Sequence, residues 1–450
     1  MAVVAPAGTA HTPLRPTRSP HIQAPQRRMR LLESRRLPLS PVMTGPASAC
    51  ARPAGLPEPD GLPEVVAVPP LSPSDAPRNR TRPVRVGGVP IGGGAPVVVQ
   101  SMTTTMTWDI EATLAQIGRL AEAGCEVVRV AVPDDKSADA LAEIVRRSPV
   151  PVAADIHFHY KLGLRALAAG VHKIRINPGN IGGEAKVREI LAAARERGVP
   201  IRVGANVGSL PKPIIARYGT HDPRALVEAA SIPVGILEAE GFEDIVVSLK
   251  ASDVPLAVAA YRLAARRFPY PLHIGITEAG GARAGSVKSA VGLGILLAEG
   301  IGDTLRVSLT ADPVEEVETA YGILAAVGLR RVGPEIVSCP SCGRCDINLI
   351  GLATEVESRV KALKLRVPLR VAVMGCEVNG PGEARDSDVG VAGGVGVGLL
   401  MRGGRIVRKV KEDEIVEALM QEVIEVARER EAAGASAAAG ADGGRDGAGK

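Results

Sequence analysis

Between residues 81 and 328 the chain repeats one pattern: a short β-branched run, a polar or glycine-bearing loop, then an Ala- and Leu-rich segment with helical spacing of its apolar positions. The pattern predicts eight strands. They are Val97 to Met102, Glu126 to Val132, Val150 to Ile156, Lys173 to Pro178, Pro200 to Val207, Asp244 to Lys250, Pro271 to Thr277 and Asp303 to Leu309. A helix follows each, for example Ile110 to Ala123, Ala284 to Glu299 and Pro313 to Val327. Eight β-then-α units in about 230 residues is the length of a (β/α)8 TIM barrel, with a doubly wound open sheet as the competing arrangement. After residue 328 come a cysteine-rich loop, a helix Asn348 to Leu363, a strand Leu369 to Met374, a glycine-rich stretch and an amphipathic helix Glu412 to Glu431. These predict a second, smaller α/β domain over residues 329–431.

The ends read differently. Residues 1–80 hold 16 of the 36 prolines and show no sustained period, which predicts a disordered Pro/Arg-rich extension. An Arg-rich, acid-poor start suits an organelle transit peptide or an upstream start codon, but its prolines break an amphipathic helix and no secretory apolar core is present. Residues 432–450 read as a disordered Ala/Gly tail. The net charge of +5 comes from the extension: residues 1–57 carry eight Arg and one acid, Glu33, leaving −2 for the rest. Without a concentrated basic face, and with 2% aromatics, the folded part is not expected to bind nucleic acid. No run of 18 apolar residues occurs, so no transmembrane helix is expected, and clustered thiols point to a reducing compartment, the cytoplasm.

In a TIM barrel the active site lies at the C-terminal ends of the strands. The residues there are Arg129, Asp155, His157, Arg175, Asn177, Arg202, Asn206, Lys250, Glu278, Arg306 and Ser308. Five are cations, too many for the acids among them, and a polyanion such as a phosphate or diphosphate resolves the imbalance. Gly280, Gly281 and Gly285 ahead of a helix offer further backbone donors. Alternatively, some of the arginines pair with Asp155, Glu278 or Asp303. Glu278, directly beyond an apolar strand, is the candidate general acid or base. His157 and His159 lack a further histidine to complete a metal site.

Cys339, Cys342 and Cys345 form C-x2-C-x2-C, and Cys376 lies in GCEVNGPGEA. Thiols this dense bind zinc or an iron-sulfur cluster. Cys125 reads as a small buried apolar residue and Cys50 as part of the extension.

The segments VQSMTTT, VRVAVP, ADIHF, RINPGNIG, IRVGANVGSL, SLKASD, HIGITEAGGARAGSVKSAVGLG, GIGDTLRVSLTADP, CPSCGR and GCEVNGPGEA resemble, in order, the bacterial 4-hydroxy-3-methylbut-2-enyl diphosphate synthase family. The short connection between the domains resembles the two-domain bacterial form, which weakens the transit-peptide reading. The resemblance implies one 4Fe-4S cluster per chain, held by Cys339, Cys342, Cys376 and Glu383. Cys345 departs from the family pattern, and either replaces Glu383 or sits nearby. The implied reaction is reductive ring opening and dehydroxylation of 2-C-methyl-D-erythritol 2,4-cyclodiphosphate in non-mevalonate isoprenoid biosynthesis, with electrons from reduced flavodoxin or ferredoxin. Its implied diphosphate binders are Arg129, Arg175, Arg202, Asn206, Lys250, Arg306 and Ser308, and its acid/base group is Glu278.

The last barrel helix returns the chain to the end opposite the mouth, about 22 Å away at ~1.5 Å per residue. A chain's own cluster domain is therefore expected not to reach its own mouth, and a head-to-tail homodimer is expected, as the resemblance also implies. Two rival readings are a zinc-stabilised barrel transferase on a phosphorylated substrate and an iron-sulfur redox sensor.

Overall fold

The computed structural model describes residues 77–442, apart from 157, 158, 177–183 and 346. Cys50, His157, Asn177 and the predicted tails before 77 and after 442 lie outside the described residues. A 3-10 turn, Pro77–Arg80, already sits within the stretch read as an extension, tied to Gly300 O through Arg78 N.

A hairpin comes first, β1 (Val84–Val86) and β2 (Val89–Ile91). Then follow β3 (Val98–Met102), α1 (Ile110–Ala123), β4 (Val127–Ala131), α2 (Asp135–Arg147), β5 (Val152–Asp155), α3 (Tyr160–Ala168), β6 (Lys173–Arg175) and α4 (Glu184–Arg197). The second half holds β7 (Ile201–Asn206), α5 (Lys212–Tyr218), α6 (Pro223–Ala239), β8 (Ile245–Lys250), α7 (Val254–Arg267), β9 (His273–Ile274), α8 (Ala282–Ala298), β10 (Thr304–Leu305) and α9 (Pro313–Ala326). The parallel order β8-β7-β6-β5-β4-β3-β10-β9, with a bridge from Val247 to Leu272, brings the sheet round into a nearly closed barrel. This is the TIM barrel rather than the open sheet.

Alternation along each strand sorts its residues. Val99, Val128, Ala154, Ile174, Ile201, Val247 and Ile274 face outward and pack with helix residues in the main core. Val98, Val127, Ala153 and Val246 face inward and cluster with Val84, Val86 and Ile91 of the hairpin, which therefore plugs the end opposite the mouth. This plug was not among the elements predicted from the sequence. Its signal is V-R-V-G-G-V-P-I, strand alternation around Gly87 at φ 58°, a left-handed position that suits glycine.

The second domain contains β11 (Pro334–Ser338), α10 (Leu349–Ala362), β12 (Leu369–Met374), α11 (Gly380–Glu383), β13 (Val389–Gly394), β14 (Val397–Arg402), β15 (Arg405–Lys411) and α12 (Ile415–Asp442). They build one sheet in that strand order, parallel through β13 and antiparallel after it. The glycine-rich stretch, to which no element was assigned from the sequence, forms β13, β14 and β15. A Cβ on Gly393 would stand 2.4 Å from Ile347 Cδ1, and one on Gly398 2.8 Å from Ile415 Cγ1, so close packing selects glycine there. The last helix runs beyond Glu431 into the segment read as a tail.

The second domain is joined to the barrel at its plugged end. Arg366 Nη2 donates to Ala121 O and Glu122 O, both at 2.9 Å, and Lys364 Nζ meets Glu122 at 3.1 Å, at the end of α1. Among the described residues no helix is long and apolar enough to cross a membrane.

Candidate active site

Above the apolar plug the barrel interior turns polar. Lys173 is in register with Ala153, Arg202 with Val246, and Thr304 with both Val98 and His273, so all four face inward. Lys173, Arg202, His273, Thr304 and Gln100 are buried. Lys173 Nζ donates to Gln100 Oε1 at 2.6 Å, whereas Arg202 Nε and Nη1 and His273 Nε2 are buried without a partner among the described residues. Burial, and then neighbouring cations, push Lys173, Arg202 and His273 well below their usual pKa values. This layer, in a fold whose interior is normally branched and apolar, was not read from the sequence beyond Arg202.

The next inward positions form the mouth. Asp155, 5% exposed, accepts Arg175 Nη1 at 2.9 Å and lies 3.4 Å from Arg129 Nε. Burial alone would raise the pKa of Asp155, but Arg129, Arg175 and Arg202 outweigh it and hold it at about 2. Burial pulls Arg129 down to about 10 despite the Asp155 charge. Arg306 gives Nε and Nη2 to Glu316, both at 3.1 Å. Glu316 was not among the expected partners. Asp303 was, but it faces the plugged end, accepting from Leu272 N at 2.7 Å and Thr81 Oγ1 at 2.9 Å.

Lys250 and Arg202 have no carboxylate partner among the described residues, and burial followed by the surrounding arginines lowers the pKa of Lys250. Four other acids near the strand ends are already engaged: Asp109, Asp134, Asp253 and Asp312 each cap a helix N-terminus. Arg129 and Arg175 share Asp155 and Arg306 is held by Glu316, so cations outnumber the buried carboxylates around the mouth. Gly204, in the inward position above Arg202, is held to glycine by the neighbouring strand, since a Cβ there would lie 1.9 Å from Ser248 O.

Glu278 is exposed in the bend beyond β9 with φ 52°, a left-handed conformation that costs a non-glycine residue of order 1 kcal/mol. Such strain concentrates where a side chain must be aimed. Asn206 ends β7 and accepts from Gly208 N at 2.9 Å, and Ser308 lies half-buried beyond β10. Gly281 begins α8 without a side-chain cap, unlike the Asp-capped helices. His159 is the N-cap residue of α3 and makes no side-chain capping hydrogen bond.

In the second domain Cys339 and Cys345 come close to Gly375, just past the end of β12. Gly375 N donates to Cys339 Sγ at 3.3 Å, and a Cβ on Gly375 would fall 2.6 Å from Cys345 Sγ. Cys376 is the next residue. Backbone N–H groups, Asn379 first, and the nearby Arg344 charge lower its pKa, favouring the thiolate a metal needs. Cys345 Sγ donates to Ile347 O at 3.2 Å. Cys342 is exposed, and Glu383 ends the single-turn α11, also exposed. Ser341, between Cys339 and Cys342, has φ 55°. Among the described residues no three His, Cys, Asp or Glu side chains stand in metal-binding geometry. Cys125 is buried, its pKa raised to about 12 by burial, as expected of a small core residue.

Residues 81–321 match the GcpE TIM-barrel domain and residues 335–425 the GcpE protein C-terminal domain. The chain belongs to the GcpE family. Its relatives include the 4-hydroxy-3-methylbut-2-en-1-yl diphosphate synthase (flavodoxin) of Geobacter sulfurreducens, 60% identical over 351 residues, 78% of this chain and 99% of that one. The protein of the same name from Geobacillus thermodenitrificans is 56% identical over 352 residues, 78% of this chain and 94% of the relative. The two GcpE domains coincide with the barrel and the cysteine-bearing sheet. Within this GcpE chain the residues missed by sequence reasoning were Glu316, Lys173, Gln100 and His273. Lys173 and His273 carried one signal, a titratable residue at an inward strand position; Glu316 lies on a helix and carried none.

Proposed function

We propose that this protein is a 4-hydroxy-3-methylbut-2-enyl diphosphate synthase acting in isoprenoid biosynthesis. It reductively opens 2-C-methyl-D-erythritol 2,4-cyclodiphosphate. One ring C–O bond and one C–OH bond break, a C=C bond forms, two electrons and two protons enter, and one water leaves. The observation that carries this reading is 60% identity to a relative of that name along 99% of its length. Neither the zinc transferase nor the redox sensor finds support among the relatives.

The barrel, residues 81–328, binds substrate. Arg129, Arg175, Arg202, Lys250 and Arg306, with Asn206 and Ser308, hold the diphosphate, whose two negative charges suit a mouth where cations outnumber the buried carboxylates. Arg129 and Arg175 are fixed through Asp155, so their forks are oriented before the ligand arrives. Glu278 protonates the leaving oxygen, on a backbone already held in the required conformation.

Residues 329–431 carry the redox group. Cys339, Cys342, Cys376 and Glu383 would hold one 4Fe-4S cluster, which would supply the electrons and an iron able to exchange a hard oxygen ligand. Three thiols and one exposed carboxylate fit that donor set, and the lowered Cys376 pKa favours it. Cys345, already donating to Ile347 O, is a neighbour rather than a ligand in this reading. Reduced flavodoxin, the donor in the relatives' names, supplies electrons, with ferredoxin as the alternative; the free thiols suit the cytoplasm.

The second domain's attachment at the plugged end supports a head-to-tail homodimer, one chain's cysteines covering the partner's mouth. Exposed Met106 and Trp108 beyond β3, and exposed Val378 and Ile350 near the cysteines, are apolar rims suited to that contact.

The test is anaerobic purification followed by iron, sulfide and zinc analysis of wild type and Cys376→Ser, then turnover of the cyclic diphosphate with reduced flavodoxin. About four irons and four sulfides per chain, reduced or lost in the variant, are expected. Zinc without sulfide would overturn the redox reading.

A further inference from the structure

We propose that Glu316 is a positioning residue that decides which edge of Arg306 meets the diphosphate, an inference that rests on the function proposed above. Glu316 stands in the first turn of α9 and is 3% exposed. Its Oε1 accepts from Arg306 Nη2 at 3.1 Å and Leu309 N at 3.1 Å, and its Oε2 from Arg306 Nε at 3.1 Å and Ser101 Oγ at 3.0 Å. Donors from β3, from the residue after β10 and from the loop before α9 thus converge on one carboxylate. It cannot swing without leaving several buried donors unpaired.

The consequence falls on Arg306. Its Nε/Nη2 fork, the edge with which arginine usually grips a carboxylate or phosphate, is already occupied. The edge bearing Nη1 remains, 3.6 Å from Met102 Sδ. The same sulfur receives Arg129 Nε at 3.1 Å and Nη2 at 2.9 Å, so it lies between the two guanidinium groups. A thioether is a weak acceptor and a phosphate oxygen a strong one. The ligand takes over these donors, and Arg306 contributes one edge rather than a fork.

A carboxylate that merely neutralised Arg306 would weaken the mouth's attraction for anions, and removing it would tighten binding. A positioning carboxylate has the opposite signature. The experiment measures KM and kcat of the reconstituted enzyme, and the calorimetric Kd for inorganic diphosphate, in wild type, Glu316→Gln, Arg306→Gln and the double variant. Glu316→Gln is expected to raise KM and Kd about tenfold, the size of one charged hydrogen bond, with a much smaller change in kcat. In the Arg306→Gln background the same change is expected to add less than about twofold, because the effect passes through Arg306. Unchanged or tighter binding, or a full additive loss, overturns the proposal. Should Glu316→Gln fail to fold, Arg306→Lys keeps the charge without the fork: a similar loss is expected, and wild-type affinity would overturn the proposal. A wild type that binds diphosphate but does not turn over the cyclic diphosphate would sink the proposed function and leave the Glu316 readout standing.

Discussion

Replacing Asp155 with Asn should destabilise the ligand-free barrel by about 3 kcal/mol at pH 7, because it leaves two arginines facing each other across a buried space. The magnitude follows from the site. Arg129, Arg175 and Arg202 hold the pKa of Asp155 at about 2 against 3.8 for a free carboxyl. A drop of roughly two units is worth about 2.5 kcal/mol at ~1.36 kcal/mol per unit. Because the folded pKa is depressed, this stability is complete above about pH 4 and is lost as pH falls toward 2, with roughly half remaining at pH 3. For a barrel of about 240 residues, 3 kcal/mol corresponds to about 6 °C in Tm. The assay is urea and thermal unfolding followed by circular dichroism, wild type against Asp155→Asn, at pH 7 and pH 3. A gap under about 1 kcal/mol at pH 7, or a gap that fails to shrink at pH 3, would refute the reasoning.

Other substitutions probe other parts of the barrel. Glu278→Gly should relieve the φ 52° strain and stabilise by about 1 kcal/mol, while cutting turnover at least ~100-fold. Melting temperature and product formation on the same preparation check both halves. Asp303 carries the reverse linkage: burial raises its pKa to about 6, so folding stability falls as pH rises from about 4 to 6. Asp303→Asn should flatten that slope in unfolding curves. Gly204→Ala puts a Cβ 1.9 Å from Ser248 O and should cost about 3 kcal/mol or more, visible as a lower Tm.

The eight strand-and-helix units were legible because each strand has an outward apolar face under a helix, and this repeats with a fixed period. The cysteine spacing and the strand-end cations were legible for a related reason: chemistry-bearing residues at regular positions stand out against Ala, Val and Leu. The three strands of the glycine-rich stretch were not legible, since Gly393 and Gly398 answer to Ile347 and Ile415, residues distant in sequence. The hairpin plug was missed although its alternation is visible, because a short strand pair before a barrel has no independent reason to be read as its floor.

The sequence by itself determined the barrel, the second domain and the inventory of cations and thiols, because local periodicity and residue type carry that information. Only the tertiary structure decided how the charges pair. Arg129 and Arg175 share Asp155, Arg306 belongs to Glu316, and Arg202 and Lys250 have no described carboxylate. Which acid meets which cation depends on strand register and on where a helix turn comes to rest, and neither is written in the spacing of residues along the chain.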